Sequence, residues 1–251
     1  MKTKLAVYLL AGRGTRLLDK TLTLPKCLIP INGVPLLIRS MNQVIEIGIE
    51  KVVLVIGYEG QQIIETFGDY WNGIEVTYID NKDWHRTNNV VSLEMASHSI
   101  DGDFLLLEGD LIYGSRELKK LNMKRNSMAI APMMPYMKGT TVSMKGDGSI
   151  DQFYMKSLGK EPDNVTPVWK TVNIYHFLKD EYLNTIQPEL KELLKKGNKQ
   201  CYYEQAFALA VGKRNIEFEA CVFDNDHWYE IDTQEDLAIS EKKFPPNPSS
   251  G

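Results

Sequence analysis

The constraint that shapes everything after it lies at the amino terminus. An unbroken apolar run, Leu5 to Leu10, stops abruptly in Ala11-Gly12-Arg13-Gly14-Thr15-Arg16. A run that short and continuous, closed by glycines, reads as a strand buried on both faces rather than as an amphipathic element. A strand that ends in a glycine-rich turn leaves backbone N–H groups unshielded, which suits anionic oxygens and above all those of a polyphosphate. Arg16 adds a planar cationic fork and Lys26 a mobile point charge. Other phosphate motifs fail on spacing. No G-x-x-x-x-G-K-[ST] run exists, and the position three after Gly14, where a dinucleotide fingerprint needs its third glycine, is Leu17. The alternative is a glycine-rich strand-to-helix turn with incidental basic neighbours.

A second motif follows the first. Leu9, Ala11, Gly12, Gly14, Thr15 and Arg16 fill L-x-A-G-x-G-[ST]-R, and Pro25, Lys26 and Leu28 then fill P-K-x-L. The linked pair resembles the opening of the nucleotidyltransferase family that includes sugar-phosphate nucleotidylyltransferases. The resemblance is dense over residues 5–37 and continues at a few anchors along nearly the whole chain. It implies that Leu10, Ala11, Gly12, Gly14, Thr15, Arg16 and Lys26 bind a nucleotide. Arg16 would meet the β/γ-phosphates and Lys26 the α-phosphate oxygens.

Composition leaves that ligand to local groups. Net charge is −4 over 251 residues, so no global basic field recruits nucleic acid or an anionic membrane. The apolar run near the start is followed at once by Arg13 and Arg16 and reads as a first strand, not a secretory leader. Cys27, Cys201 and Cys221 are odd in number and far apart, which favours free thiols and a cytoplasmic setting.

The first half alternates strand and helix patterns, as a mainly parallel sheet covered by helices requires. Strands are expected at 5–10, 51–56, 75–79 and 103–108, with helices at 35–47, 60–67 and 90–98 between them. The second half is less regular. Strands are expected at 127–134, 140–145, 150–154, 171–176 and 217–223, and helices at 181–186 and 189–196. The expected fold class is α/β, a Rossmann-like mainly parallel sheet flanked by helices with a β-rich acceptor-binding region. It is expected as one domain over 1–243, with a nucleotide core to about 125, an acceptor region over about 126–225 and a metal-binding segment over about 226–243. Phe244 to Gly251 reads as a Pro/Ser tail with no fold role, and as a lead into a partner domain beyond residue 251. A homodimer is the expected assembly.

Asp110 follows a continuous apolar strand through Gly109, which places it at the carboxyl end where ligands of open α/β sheets bind. In the resembled family an Asp here pairs with a distant partner to hold Mg²⁺ on the nucleotide phosphates. Trp228-Tyr229-Glu230-Ile231-Asp232 matches the family pattern W-x-[DE]-[ILV]-[DN] and supplies Asp232 as that partner. Two carboxylates plus substrate oxygens and water suit Mg²⁺. The plainer alternative makes Asp110 a turn residue and Asp232, or Thr233, the N-cap of a helix with acidic first-turn residues. Glu108 shares the strand end, but Asp110 is the expected ligand. His85, His98, His176 and His227 show no zinc-ligand spacing.

Asn88, Asn89 and Ser92 form an N-N-x-x-S-L segment that resembles the choline-phosphate cytidylyltransferase branch of the family. Their side chains could read a pyrimidine edge, or Asn88 or Asn89 could only cap a helix. Tyr58 matches a family position near the nucleotide and could equally be core. For a second substrate, Lys170 could clamp a phosphate or phosphonate, and Glu204 beside Tyr202 could face an ammonium group. The run Lys170 to Tyr175 resembles the branch that activates 2-aminoethylphosphonate with CTP. The resemblance therefore implies a Mg²⁺-dependent transfer of CMP to a small amino-bearing phosphonate or phosphate. Rivals are a sugar-1-phosphate nucleotidylyltransferase using UTP, CTP or dTTP and a non-catalytic nucleotide-binding subunit. The last would be expected to have lost Lys26, Asp110 or Asp232, all of which are present.

Overall fold

The computed structural model describes residues 3–163 and 165–245. The first strand, β1 (Leu5–Leu9), is buried along its whole length, and its side chains alternate between two cores. Val7 and Leu9 face one and Ala6 and Tyr8 the other, as the period of two demands of a central strand. The chain then builds α1 (Leu36–Glu46), β2 (Lys51–Ile56), α2 (Gly60–Phe67), β3 (Ile74–Asp80), α3 (Asn89–Ala96) and β4 (Phe104–Glu108). β1, β2, β3 and β4 pair in parallel in the order β3-β2-β1-β4. Strand order reverses beside β1, and the carboxyl ends of β1 and β4 open there into a crevice.

Beyond β4 the sheet changes character. After β5 (Leu111–Tyr113), the chain adds β6 (Ser127–Pro132), β7 (Thr141–Met144), β8 (Ile150–Tyr154) and the long β9 (Trp169–Phe177). β9 pairs antiparallel with β4, β6 and β7, and β7 with β8, so one mixed sheet runs through both halves. The expected helices near 181–196 form a continuous helical stretch with a π-turn at Tyr182–Ile186 followed by α4 (Gln187–Lys195). Next come α5 (Glu204–Gly212), β10 (Glu219–Val222), β11 (Trp228–Glu230) and α6 (Gln234–Lys243).

Two features went unforeseen, each for a physical reason. α5 is Glu-Gln-Ala-Phe-Ala-Leu-Ala-Val-Gly, apolar on nearly every side, so it carries no amphipathic period to read. β5 and β11 are three residues each, below the length at which alternation shows, yet they pair antiparallel as a ribbon outside the main sheet. A third core of Leu17, Ile29, Ile112, Ile231 and Leu237 packs this ribbon and α6 against the amino-terminal turn. Phe244 packs against that core, and its carbonyl accepts from Asn32. The tail reading is therefore corrected for Phe244; residues 246–251 of the expected tail lie outside the described residues.

Candidate active site

One large cavity, about 1070 Å³, opens at the carboxyl ends of β1 and β4. Leu10, Gly12, Gly14, Arg16 and Lys26 line it from the amino-terminal turn, Asp110 from the turn between β4 and β5, and Asp232 from the turn between β11 and α6. Gly14 has φ +68°, and a Cβ there would stand 2.7 Å from the Lys26 side chain, so glycine is what lets the lysine stem lie against the turn. Gly12 has nothing within 4 Å of a built Cβ, so the space it leaves opens into the cavity and not onto protein. Among the described residues, the N–H groups of Gly12, Arg13 and Gly14 find no acceptor.

Residues more than a hundred positions apart meet here because of the ribbon. Glu230 lies opposite Leu111 in the β5–β11 pairing, and the Ile231 N–H donates to the Asp110 carbonyl at 2.9 Å. Lys26 Nζ then donates to both Asp110 Oδ2 and Asp232 Oδ1 at 2.8 Å, so those oxygens can be no further apart than twice that distance. Arg16 reaches Asp232 Oδ1 at 2.7 Å from a largely exposed position. Burial alone would lower the pKa of the Lys26 ammonium, but Asp110 and Asp232 outweigh it and hold the net shift upward. Burial pushes Asp232 up, yet Lys26 and Arg16 prevail and leave it below the usual carboxylate range.

Asp232 is not the cap of α6. Thr233 is, with its hydroxyl accepting from the Asp236 N–H while the Asp236 carboxylate accepts from the Thr233 N–H. Asp232 is thereby released to face the cavity. Asp110 Oδ1 is buried with no hydrogen-bond partner, an arrangement that costs free energy unless something absent supplies the partner. A pair of aspartates with one orphaned oxygen, in a cavity lined also by Gly12 and Gly14, fits Mg²⁺, which prefers few carboxylates and many non-protein oxygens. Among the described residues no group of three or more His, Cys, Asp or Glu side chains could hold a metal.

Further along the cavity lie Lys170, Tyr202, Glu204, Glu230 and Glu108. Lys170, 3% exposed, donates to the Thr171 carbonyl at 2.7 Å and pairs with Glu230 at 3.5 Å. Glu204 opens α5; its Oε1 accepts weakly from Thr140 at 3.4 Å, and its Oε2 is buried without a partner. Burial pushes its carboxyl up to about 6, with Glu230 adding to that push and its own N–H and Lys170 drawing it back. Tyr202 is half exposed at the rim. Glu108 is partly buried at the end of β4, and desolvation with the nearby Asp110, Glu204 and Glu230 charges drives its carboxyl well up.

Several expected nucleotide contacts point elsewhere. Tyr58 does not line the cavity: its hydroxyl donates to the Thr21 carbonyl at 2.9 Å and its ring lies under Arg13, so it props the outer side of the turn. Ser92 is buried against Asn81, which donates to its hydroxyl at 3.1 Å, because the helix turns that face toward the sheet. Ala11 is buried with its carbonyl accepting from the Tyr58 N–H, and Thr15 is exposed outside the cavity lining. Asn88 and Asn89 do line it, but Asn88 is the N-cap of α3, its side chain accepting from the Asn89 N–H at 2.8 Å. Glu108, Glu230 and Asn173 are among the cavity residues to which the sequence reading gave no role; the apolar run before Glu108 gave its position at a strand end, whereas nothing in the sequence announced the short strand that ends at Glu230.

Comparison with known proteins fits this geometry. A CMP-5'-(3-aminopropyl)phosphonate synthase from Streptomyces rubellomurinus is 29% identical over 247 residues, which covers 96% of this chain but 39% of that protein. A UTP–glucose-1-phosphate uridylyltransferase from Haloferax volcanii is 33% identical over 129 residues, 51% of this chain and 52% of the relative. The chain thus spans well under two thirds of either relative. Among solved structures, the CTP:phosphocholine cytidylyltransferase of Streptococcus pneumoniae superposes with a TM-score of 0.80 at 17% identity, covering 96% of this chain and 99% of that one. The inositol-1-phosphate CTP transferase of T. maritima gives 0.73 at 17% identity, with 98% of each chain covered. At such identities these two show a common fold. Residues 6–130 match the MobA-like NTP transferase domain, and the chain carrying that domain belongs among the nucleotidyltransferases.

Proposed function

We propose that this protein transfers CMP from CTP to a small phosphonate or phosphate bearing an amino or quaternary ammonium group, with Mg²⁺ required and pyrophosphate released. The observation that carries this reading is a single cavity shared by two sets of groups. Lys26, Arg16, Asp110 and Asp232 form one set and Lys170 with Glu204 the other, with Glu230 linking Lys170 to the Asp232 segment. The choice of a cytidine nucleotide and a nitrogen-bearing acceptor draws support from the Streptomyces relative, which aligns across both sets.

In this mechanism an acceptor oxygen attacks the α-phosphorus in line. A new P–O bond forms as the bond to the bridging oxygen breaks, and pyrophosphate leaves with its electron pair. No covalent enzyme intermediate is needed, so positioning and charge neutralisation supply the rate. The unshielded amides of Gly12 to Gly14 receive phosphate oxygens across the open space at Gly12. Arg16, exposed and on a flexible stem, can leave Asp232 for the leaving phosphates. Lys26 meets the α-phosphate oxygens, and the same carboxylates that hold it keep it charged. Asp110 and Asp232 would hold Mg²⁺, which supplies charge neutralisation on the triphosphate when bound. Lys170 is placed to meet the acceptor's anionic group and Glu204 its nitrogen. Free thiols at Cys27, Cys201 and Cys221 suit work in a reducing cytoplasm.

Pyrophosphate release from each of four NTPs, with 2-aminoethylphosphonate, phosphocholine and glucose 1-phosphate as acceptors, tests the reading. It requires activity with CTP and a nitrogen-bearing acceptor. Turnover of glucose 1-phosphate with UTP alone would replace it by the sugar-phosphate reading that the Haloferax relative supports. Nucleotide binding without pyrophosphate release under any condition would make the protein a binding subunit.

A further inference from the structure

The acceptor end of the cavity gathers three carboxyl groups around Lys170. Glu108, Glu204 and Glu230 all line it, and Lys170 is already engaged by Glu230 and the Thr171 carbonyl. Glu204 is only 6% exposed, and its Oε2 has no hydrogen-bond partner. A buried carboxylate oxygen left bare is costly, so its natural complement is a donor that arrives with the ligand.

The carboxylates are also held deliberately. Asn89 Nδ2 donates to Glu108 Oε1 at 3.2 Å, while Asn89 Oδ1 accepts from the Tyr203 N–H at 2.9 Å, one residue before Glu204. One amide thus ties the end of β4 to the first turn of α5. From the other side, Asn173 Nδ2 donates to Glu108 Oε2 at 3.2 Å. Asn173 adopts φ +62° within β9, where the pairing with β6 slips between Thr171 and Tyr175. A left-handed residue inside a strand is strained backbone, retained only where its surroundings hold it.

Resting on the function proposed above, we infer that Glu108 and Glu204 together form a subsite for a hydrogen-bond-donating ammonium group, with Asn89 as the residue that positions both. A primary ammonium brings three N–H donors and can satisfy the bare Oε2 directly. A trimethylammonium group brings none; it needs aromatic faces, and of the cavity aromatics Tyr136, Tyr202, Trp228 and Tyr229 the one nearest Glu204 in the chain, Tyr202, is half exposed at the rim. The subsite thus selects an aminoalkyl phosphonate or phosphate over its N-trimethyl counterpart. It also moves Asn89 from the nucleotide to the acceptor.

The test compares phosphoethanolamine with phosphocholine, which differ only in N-methylation, by steady-state pyrophosphate release with CTP. The subsite predicts a kcat/KM at least about tenfold higher for the primary amine, the worth of one charge-assisted hydrogen bond. In Asn89→Ala, KM for phosphoethanolamine should rise about tenfold while KM for CTP stays within twofold, a split that mere loosening of the fold would not produce. Should Asn89→Ala fail to fold, Glu204→Gln serves, and it should shrink the preference between the two acceptors. Equal use of both acceptors by the wild-type protein, or a change in the CTP KM alone, overturns the subsite and leaves the proposed function standing. Turnover of neither, with activity on a sugar phosphate, overturns both.

Discussion

The two ends of the cavity were built by different rules. The end proposed for the nucleotide is local: β1, the turn through Gly12 and Gly14, and Lys26 lie within about twenty residues of one another, and their glycines and cations announce themselves in the sequence. The acceptor end is assembled from α3, β4, the middle of β9 and the first turn of α5, and the short resemblances at Asn88–Leu93 and Lys170–Tyr175 do not show that these segments meet. Both ends hold a bare carboxylate oxygen, Asp110 Oδ1 and Glu204 Oε2, but at the nucleotide end each aspartate is also paired with Lys26, whereas among the described residues Glu204 has no ion pair. A site that must accept phosphates can rest on its own salt bridges until the ligand arrives. A site that must discriminate among acceptors leaves its key partner to the ligand.

Substitutions can break that contrast. The largest effect is expected at Lys26: Lys26→Ala should cost on the order of 10²–10³ in kcat for pyrophosphate release, as loss of one aimed donor does elsewhere. A loss below about threefold would remove Lys26 from the chemistry. Next, Gly14→Ala forces a side chain into a positive-φ position and against the Lys26 stem. It should weaken CTP binding about tenfold or more and lower stability by about 1 kcal/mol, read by CTP titration and urea unfolding.

Glu204→Gln should separate function from stability. The carboxyl is raised to about 6 in the fold, above its ordinary value near 4.3. The wild-type side chain therefore contributes most below the unfolded value and loses that contribution as pH rises through about 6. Relative to wild type, Glu204→Gln should gain on the order of 2 kcal/mol between pH 4 and pH 8, while acceptor KM at pH 8 rises. Lys170, Glu230 and Glu108 face the same group, so the midpoint belongs to the cluster. Denaturant melts of both proteins at the two pH values check it; an unchanged difference would show that the carboxyl is not desolvated. The smallest effect is expected at Ser92, which faces Asn81 and not the cavity. Ser92→Ala should leave KM for CTP within twofold, and a larger change would return it to the nucleotide site.

What was legible in the chain follows the same division. Continuous apolar runs gave β1, β2 and β4, and the Gly-x-Gly turn with Lys26 gave one wall of the cavity, because each depends on neighbours in sequence. Asp110 and Asp232 could be named by resemblance, but their convergence depends on a three-residue ribbon and a backbone bond from Ile231 to Asp110 that no periodicity announces. Tyr58 and Ser92 were placed by motif on the right segments and with the wrong facing, since facing is set by helix phase and by what the neighbouring turn needs for its carbonyls. Asn89 was visible as a residue, but its two hydrogen bonds, to Glu108 and from the Tyr203 N–H, exist only once α3, β4 and α5 are packed together.

The proposed transfer depends on Asp110 and Asp232 acting together on magnesium beside the triphosphate. Titrating Mg²⁺ into wild-type protein, Asp110→Asn and Asp232→Asn while following pyrophosphate release with CTP and 2-aminoethylphosphonate tests it most directly. The account predicts no turnover without Mg²⁺, and in both variants a rate at least about a hundredfold lower at saturating metal. Full activity in EDTA, or either variant within threefold of wild type at the same Mg²⁺, would contradict it.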